Sequence, residues 1–199
     1  MNDKIFKIAS ISFETTGISN HSLNKAVNQQ ILSAGIIIAD SDNFKSIETC
    51  YIEIKPNKDI VWNNKFEKIH GFTKDYLIKN GIIENEAAAI IADILVRHFD
   101  DIPIVLLGHN VSSFSYWFLY NILDKYNYYR DLNLFISSRV LDTFTLGKTL
   151  YGFNTFNEIL DFLQLSDIKL NSREKAEVYL KFFRICKKQW NIFHDQIKR

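Results

Sequence analysis

Ile8-Ala9-Ser10-Ile11-Ser12-Phe13-Glu14-Thr15-Thr16-Gly17 is the stretch on which the fold of this 199-residue chain turns. An apolar run that alternates from Ile5 has the period of a β-strand, and Gly17 supplies the turn that ends it. Glu14 stands at the end of that strand, where a side chain can project into a site. Two further strands follow in the sequence. Gln29–Asp40 carries Ser33-Ala34-Gly35-Ile36-Ile37-Ile38, a buried-strand signal, and Glu48–Lys55 alternates through Tyr51 and Ile54 until Pro56-Asn57 ends it. Three strands in a row, the first followed by a long connection through His21, predict a meander with one core face.

Beyond the meander the period changes. Phe66-Glu67-Lys68-Ile69-His70-Gly71-Phe72-Thr73 reads as a short helix, a turn and an N-cap at Thr73. Glu84–His98 is alanine-rich and predicts a helix. Ile104–Leu107 is wholly apolar between Pro103 and Gly108, the mark of a central strand covered on both sides. Ser112–Tyr126 predicts a helix with Phe114, Phe118, Leu119 and Ile122 on one face; Tyr116 and Trp117 on the same helix read as core, with a base-stacking platform as the alternative. Val140–Leu150, Phe156–Leu163 and Ser172 onward complete a helical second half. Strands, a helix, a strand and more helices spell an α/β fold around a mixed sheet.

The totals bound the function. A hydrophobic fraction of 47% with 14% aromatic residues specifies a globular chain, and seven glycines with two prolines leave little material for linkers. A formal charge of +1 excludes a large general affinity for polyanions, so any nucleic-acid contact needs a local basic patch. Cys50 and Cys186 make neither a metal pair nor a disulfide framework, which points to a reducing cytoplasm. No apolar stretch approaches a membrane span, and Met1-Asn2-Asp3-Lys4 lacks a signal-peptide pattern.

Ser12-Phe13-Glu14-Thr15-Thr16-Gly17 resembles the first motif of the DnaQ-like (DEDDh) 3′–5′ exonuclease family, which reads Asp-x-Glu-Thr-Thr-Gly. Four more pieces follow in the family's order: His70-Gly71-Phe72-Thr73, Gly108-His109-Asn110, Val140-Leu141-Asp142-Thr143, and Arg173–Phe183 as the closing helix with Ala176 in the Asp-Ala pair. The resemblance spans residues 5–185. It implies an RNase H-like, DnaQ-like α/β fold: a mixed central sheet, its first three strands an antiparallel meander, flanked by helices. Residues 1–185 are expected to form a single domain, with 186–199 extending the last helix.

Such enzymes hydrolyse phosphodiesters with two divalent ions, Mg²⁺ or Mn²⁺, held by four carboxylates, and a histidine takes the proton from water. Position by position, the first aspartate falls on Ser12 and the glutamate on Glu14. The second aspartate falls on Ser115, the last on Lys175, and the histidine on Leu170. Between Asp101 and Asp124 there is no acidic residue, and between His109 and His194 no histidine, so no shift of register restores them. Glu174 neighbours Lys175 but is rotated about 100° from it on a helix.

The resemblance therefore implies a catalytically degenerate exonuclease-type protein with no cofactor and a non-hydrolytic role: binding a single nucleic-acid strand or its 3′ end, or docking a protein partner. Two alternatives stand beside it, a metal-dependent exonuclease using Glu14 with unrecognised acids, and a pure scaffold. On the substrate side the family motifs point to Thr15, Thr16, Gly17, His70, His109 and Asn110. Plainer roles are open for several of them. Glu14 is also a strand-end acid and a partner for Lys175, His70 a turn residue bonded to backbone, and His109-Asn110 a step that caps and orients the next helix. Asp142 reads as the N-cap of the helix after it, and His21 and His98 as surface residues.

From Tyr179 the residues Phe182, Phe183, Cys186, Trp190, Phe193 and Ile197 form a helical stripe, opposite Lys181, Arg184, Lys187, Lys188, Lys198 and Arg199 with the single acid Asp195. This predicts either a terminal helix docked on its own domain or one that faces a partner or nucleic acid.

Overall fold

Alternation along Lys7–Thr15 is realised as strand β1, buried on both faces at the middle of a five-stranded sheet. The computed structural model describes residues 5–19, 24–99, 102–132, 136–166 and 168–197. His21, Lys198 and Arg199 lie outside these residues, as do the side chains of Phe193, Asp195 and Ile197. On one side β1 pairs antiparallel with β2 (Ile31–Asp40), and β2 pairs antiparallel with β3 (Ser46–Glu53), which is the expected meander. On the other side β4 (Ile104–Gly108) runs parallel to β1, and β5 (Ile136–Asp142) parallel to β4. The order is β3-β2-β1-β4-β5.

Strand β5 corrects the sequence reading, which began a helix at Val140. Ile136-Ser137-Ser138-Arg139-Val140-Leu141-Asp142 has no clean alternation, because as an edge strand it is nowhere fully buried. Its pairing with β4 makes it a strand, and the helix begins only at Thr143.

The register separates two faces. Ala9, Ile11 and Phe13 join Ala34, Ile36, Ile38 and Ile52 in one apolar cluster beneath α3 (Glu84–Arg97) and α4 (Tyr116–Lys125). On the opposite face Ser12 lies beside Gly35 and Glu14 beside Ser33, and α8 (Ser172–Ile197) covers them as one unbroken helix. That helix begins with a capping box: Asn171 Oδ1 accepts from Glu174 N at 3.0 Å, and Glu174 Oε2 accepts from Asn171 N at 2.8 Å. Its first turn rests directly on β2, since a Cβ on Gly35 would lie 2.2 Å from the carbonyl carbon of Ser172. Hydroxyls stitch the contact: Ser10 Oγ donates to Ala176 O at 2.7 Å, and the Ser33 and Ser172 hydroxyls meet at 3.0 Å.

Short helices complete the layers. α1 (Asn64–His70) is capped by Asn63, and α2 (Lys74–Asn80) by Thr73 as the sequence predicts. α5 (Tyr129–Leu132) precedes β5. α6 (Thr143–Tyr151) is capped by Asp142, and α7 (Phe156–Phe162) opens with a Thr155–Glu158 capping box.

Three local expectations fail. The segment read as one helix from Ser112 begins as a π-helical turn, Val111–Ser115, before α4. Asn110 does not cap it: its backbone is left-handed (φ 58°) and its side chain makes no capping bond. Instead the free Val111 N–H donates to Asp142 Oδ2 at 2.7 Å, so the strand-end aspartate of β5 holds the turn in place. His98 is not a loose surface residue either, because its Nε2 lies 2.6 Å from Glu48 Oε2, joining α3 to β3.

Candidate functional site

The ends of β1 and β4, the π-helical turn and the first turns of α8 enclose a cleft of about 380 Å³. Ser12 reaches it from β1, Ser115 from the turn before α4, and Lys175 from α8, although they are spread over most of the chain. Glu14, two residues after Ser12 on the same face, is 7% exposed and its carboxylate Oε1 accepts a hydrogen bond from the Lys175 ammonium in a partly buried ion pair. Lys175 is thus the cation that meets the strand-end acid.

The other groups are positioned by their neighbours. Ser12 Oγ lies 3.4 Å from the Tyr179 hydroxyl, a long contact in which either atom can donate. Burial pushes the Tyr179 hydroxyl far above the usual phenol range, against the pull of its bond to Ser12. Tyr179 follows Lys175 by one helical turn and therefore shares its face. His109 sits against Tyr179, Phe156 and Phe144, with ring centroids 6.3, 5.4 and 5.7 Å away. Burial lowers its pKa below the ordinary imidazole value, and the nearby Asp142 pulls it partly back. Phe13, Ile18, Phe114 and Phe156 supply an apolar wall, with Lys25 and Asn110 at the polar side.

The remaining sequence candidates serve the frame. Thr15 Oγ1 donates to Gly17 O at 3.0 Å; Thr16 Oγ1 donates to Gln29 Oε1 and accepts from Gln30 N, both at 2.9 Å. Both threonines are buried with their hydroxyls engaged. At Gly17 a Cβ would meet Gln29 Oε1 at 2.8 Å and the Phe66 ring at 3.4 Å, so the bare backbone lets α1 close on the end of β1. His70 accepts from Phe72 N through Nδ1 at 3.0 Å, the turn role expected of it. Its pKa is lowered, first by burial and also by Lys175 and Lys169, while Glu67 acts the other way. Leu170 is not at the cleft: it packs on the apolar cluster of Ile159, Leu160, Val178 and Phe182. Glu174 is occupied by the α8 capping box.

Sequence reasoning missed Lys25, Ile18, Phe156 and Tyr179 as parts of the site. Tyr179 had a signal, its four-residue spacing from Lys175; the loop residues Ile18 and Lys25 had none. Another cavity, of about 320 Å³, lies near Gln30, Asn57, Glu84 and Lys125. There the buried Glu84 Oε2 already accepts from Lys125 (2.5 Å), Asn57 (2.7 Å) and Tyr126 (2.9 Å), which makes it a clamp between loop and helices. Among the described residues no group of three or more His, Cys, Asp or Glu side chains is arranged to hold a metal ion, and no helix is long and apolar enough to cross a membrane.

No family model and no curated protein matches the chain. Solved structures do. The structure of E. coli exonuclease I in complex with a 5cy-dT13 oligonucleotide superposes with a TM-score of 0.75 at 17% identity, covering 96% of this chain and 42% of that one. The product-bound structure of exonuclease I gives 0.70 at 17% identity over 98% of this chain and 46% of that one. A moderately thermophilic exonuclease I from Methylocaldum szegediense gives 0.71 at 14% identity over 92% and 40%. The chain therefore spans less than half the length of these exonucleases, and what it shares with them is the fold: a five-stranded mixed sheet of RNase H-like type flanked by helices.

Proposed function

We propose that the chain binds a single nucleic-acid strand, by its 3′ end or along its backbone, without metal and without hydrolysing it. The observation that carries this reading is the Glu14–Lys175 ion pair, whose lysine lines the cleft. Two Mg²⁺ ions would need several hard, anionic oxygen ligands. The groups gathered here are one carboxylate already paired with an ammonium, two neutral serine hydroxyls, and that ammonium, which repels a divalent ion. This donor set does not fit a two-metal centre, so no step is routed through one. A lysine ammonium is a compact point charge on a flexible stem. Turning from Glu14 to a backbone phosphate, Lys175 supplies in the cleft the positive charge that metal ions supply in a two-metal nuclease. The exonuclease I structures solved with oligonucleotides support the choice of a single strand as ligand.

Lys175→Asp tests this. With EDTA present, affinity for a single-stranded oligonucleotide falls, and the salt dependence becomes shallower by roughly one unit of slope. Unchanged affinity would transfer the function away from nucleic acid. No degradation of single-stranded DNA or RNA is expected with Mg²⁺ or Mn²⁺; digestion by a clean preparation, abolished in Glu14→Gln, would establish the enzyme instead.

One observation favours a second reading, docking of a protein partner. A groove of about 450 Å³ between α6 and α8 is lined by Leu146, Leu150, Phe183, Cys186 and Trp190. Cutting the chain before Lys188 would then alter the mass in solution and leave the melt nearly intact. If the end of α8 only docks on its own domain, the same cut lowers the melting temperature.

A further inference from the structure

His109 enters the cleft with one ring nitrogen already committed. Its Nδ1 lies 3.1 Å from Thr143 Oγ1, and the same hydroxyl lies 3.1 Å from the Gly108 carbonyl oxygen. A carbonyl only accepts, and a threonine hydroxyl has a single proton. Thr143 therefore donates to Gly108 O and accepts from His109, which places the imidazole proton on Nδ1. Thr143 is fully buried, so no solvent competes for that arrangement. Nε2 is left as a bare lone pair. It has no hydrogen-bond partner among the described residues, and among them no buried side-chain nitrogen or oxygen lacks one, so Nε2 is reached from outside. His109 lines the cleft, and three aromatic rings fix the plane of the imidazole.

The geometry points to His109 Nε2 as a fixed hydrogen-bond acceptor that reads a donor on the bound strand, its terminal 3′-hydroxyl or an adenine amino group. This rests on the reading of the cleft as a nucleic-acid site and deepens it. Lys175 meets an anion and selects nothing among nucleotides; an oriented acceptor rejects a ligand that lacks the donor. Burial keeps the imidazole neutral near pH 7, so that the acceptor is not lost to a second proton. Thr143 acts through His109 as a positioning residue, holding the tautomer from outside the cleft.

The test uses the full chain in EDTA. Nitrogen NMR, with the His109 resonance assigned by its loss in His109→Phe, should show the Nδ1-protonated tautomer in wild type and a mixture in Thr143→Val. Binding is compared for three single strands: oligodeoxyadenylate with a 3′-hydroxyl, the same oligomer ending in a 3′-deoxy sugar, and an oligomer of purine deoxyriboside, which lacks the amino group. One of the two donor-lacking strands should bind wild type more weakly, by a factor of up to roughly ten, and its identity names the donor. His109→Phe keeps the aromatic packing and should bind all three strands alike, at the level of the weakened one. Should His109→Phe not fold, Thr143→Val carries the same expectation with a smaller loss of discrimination. An Nε2-protonated tautomer in wild type, or equal binding of the three strands by wild type, overturns the inference while the nucleic-acid reading survives. Binding of none of them overturns that reading, and this inference with it.

Discussion

Along β1, Ala9, Ile11 and Phe13 face α3 and α4 in a wholly apolar cluster, whereas Ser10, Ser12 and Glu14, just as buried, face α8. Burial is the same and the chemistry is opposite. Polar groups taken from water cost free energy unless they find partners, and on the α8 face each of them has one: Ala176 O for Ser10, Tyr179 for Ser12, Lys175 for Glu14 and Ser172 for Ser33. The apolar face holds the molecule together by contact. The other face packs on α8 through a second apolar cluster of Ile8, Ile37, Leu107, Ala176 and Leu180, and there the hydrogen bonds add the register that delivers Lys175 and Tyr179 to the cleft.

Mutations on the two faces should separate these contributions. The largest effect is expected from Ile11→Ala, which opens a cavity in the apolar cluster and should cost about 2–5 kcal/mol in denaturant unfolding. Gly35→Ala comes next. Its methyl collides with α8 backbone rather than with a movable side chain, so the helix must lift, at about 1–3 kcal/mol. Unlike Ile11→Ala it should also abolish oligonucleotide binding at temperatures where the chain is still folded; retained binding would show that the register of α8 is not what builds the site.

A smaller effect concerns acid. His109, like His70, has a folded pKa below that of the unfolded chain, so the unfolded state binds more protons as the pH falls through about 6.5. The stability from these residues is present above that pH and is lost as the pH drops toward their folded values. Melting between pH 7 and pH 5 should show the decline, and His109→Phe should flatten part of it; an unchanged slope would mean that the imidazole is not buried as described. Ser12→Ala should do least. Its contact with Tyr179 is at the long limit of a hydrogen bond, so less than about 0.5 kcal/mol of stability is expected to go.

Strands β1 to β4, the caps at Thr73 and Asp142 and the buried face of α4 through Phe118, Leu119 and Ile122 were legible in residue order, because each is written in spacings of two to four residues. Family motifs extended this legibility to Ser12, Glu14, Ser115 and Lys175, which the folded chain gathers at or beside one cleft. Strand β5 was not legible: Ser137, Ser138 and Arg139 carry no alternation, and hydrogen bonding to β4 is what extends them. Nor was the role of Asn110, whose left-handed backbone passes the capping of Val111 to Asp142, 31 residues away. The proton on His109 depends on Thr143, 34 residues on, and the charge beside Glu14 comes from 161 residues further along the chain. Periodicity reports what a residue's near neighbours prefer; a donor's partner is chosen by the sheet register and helix packing that bring distant residues into hydrogen-bonding reach.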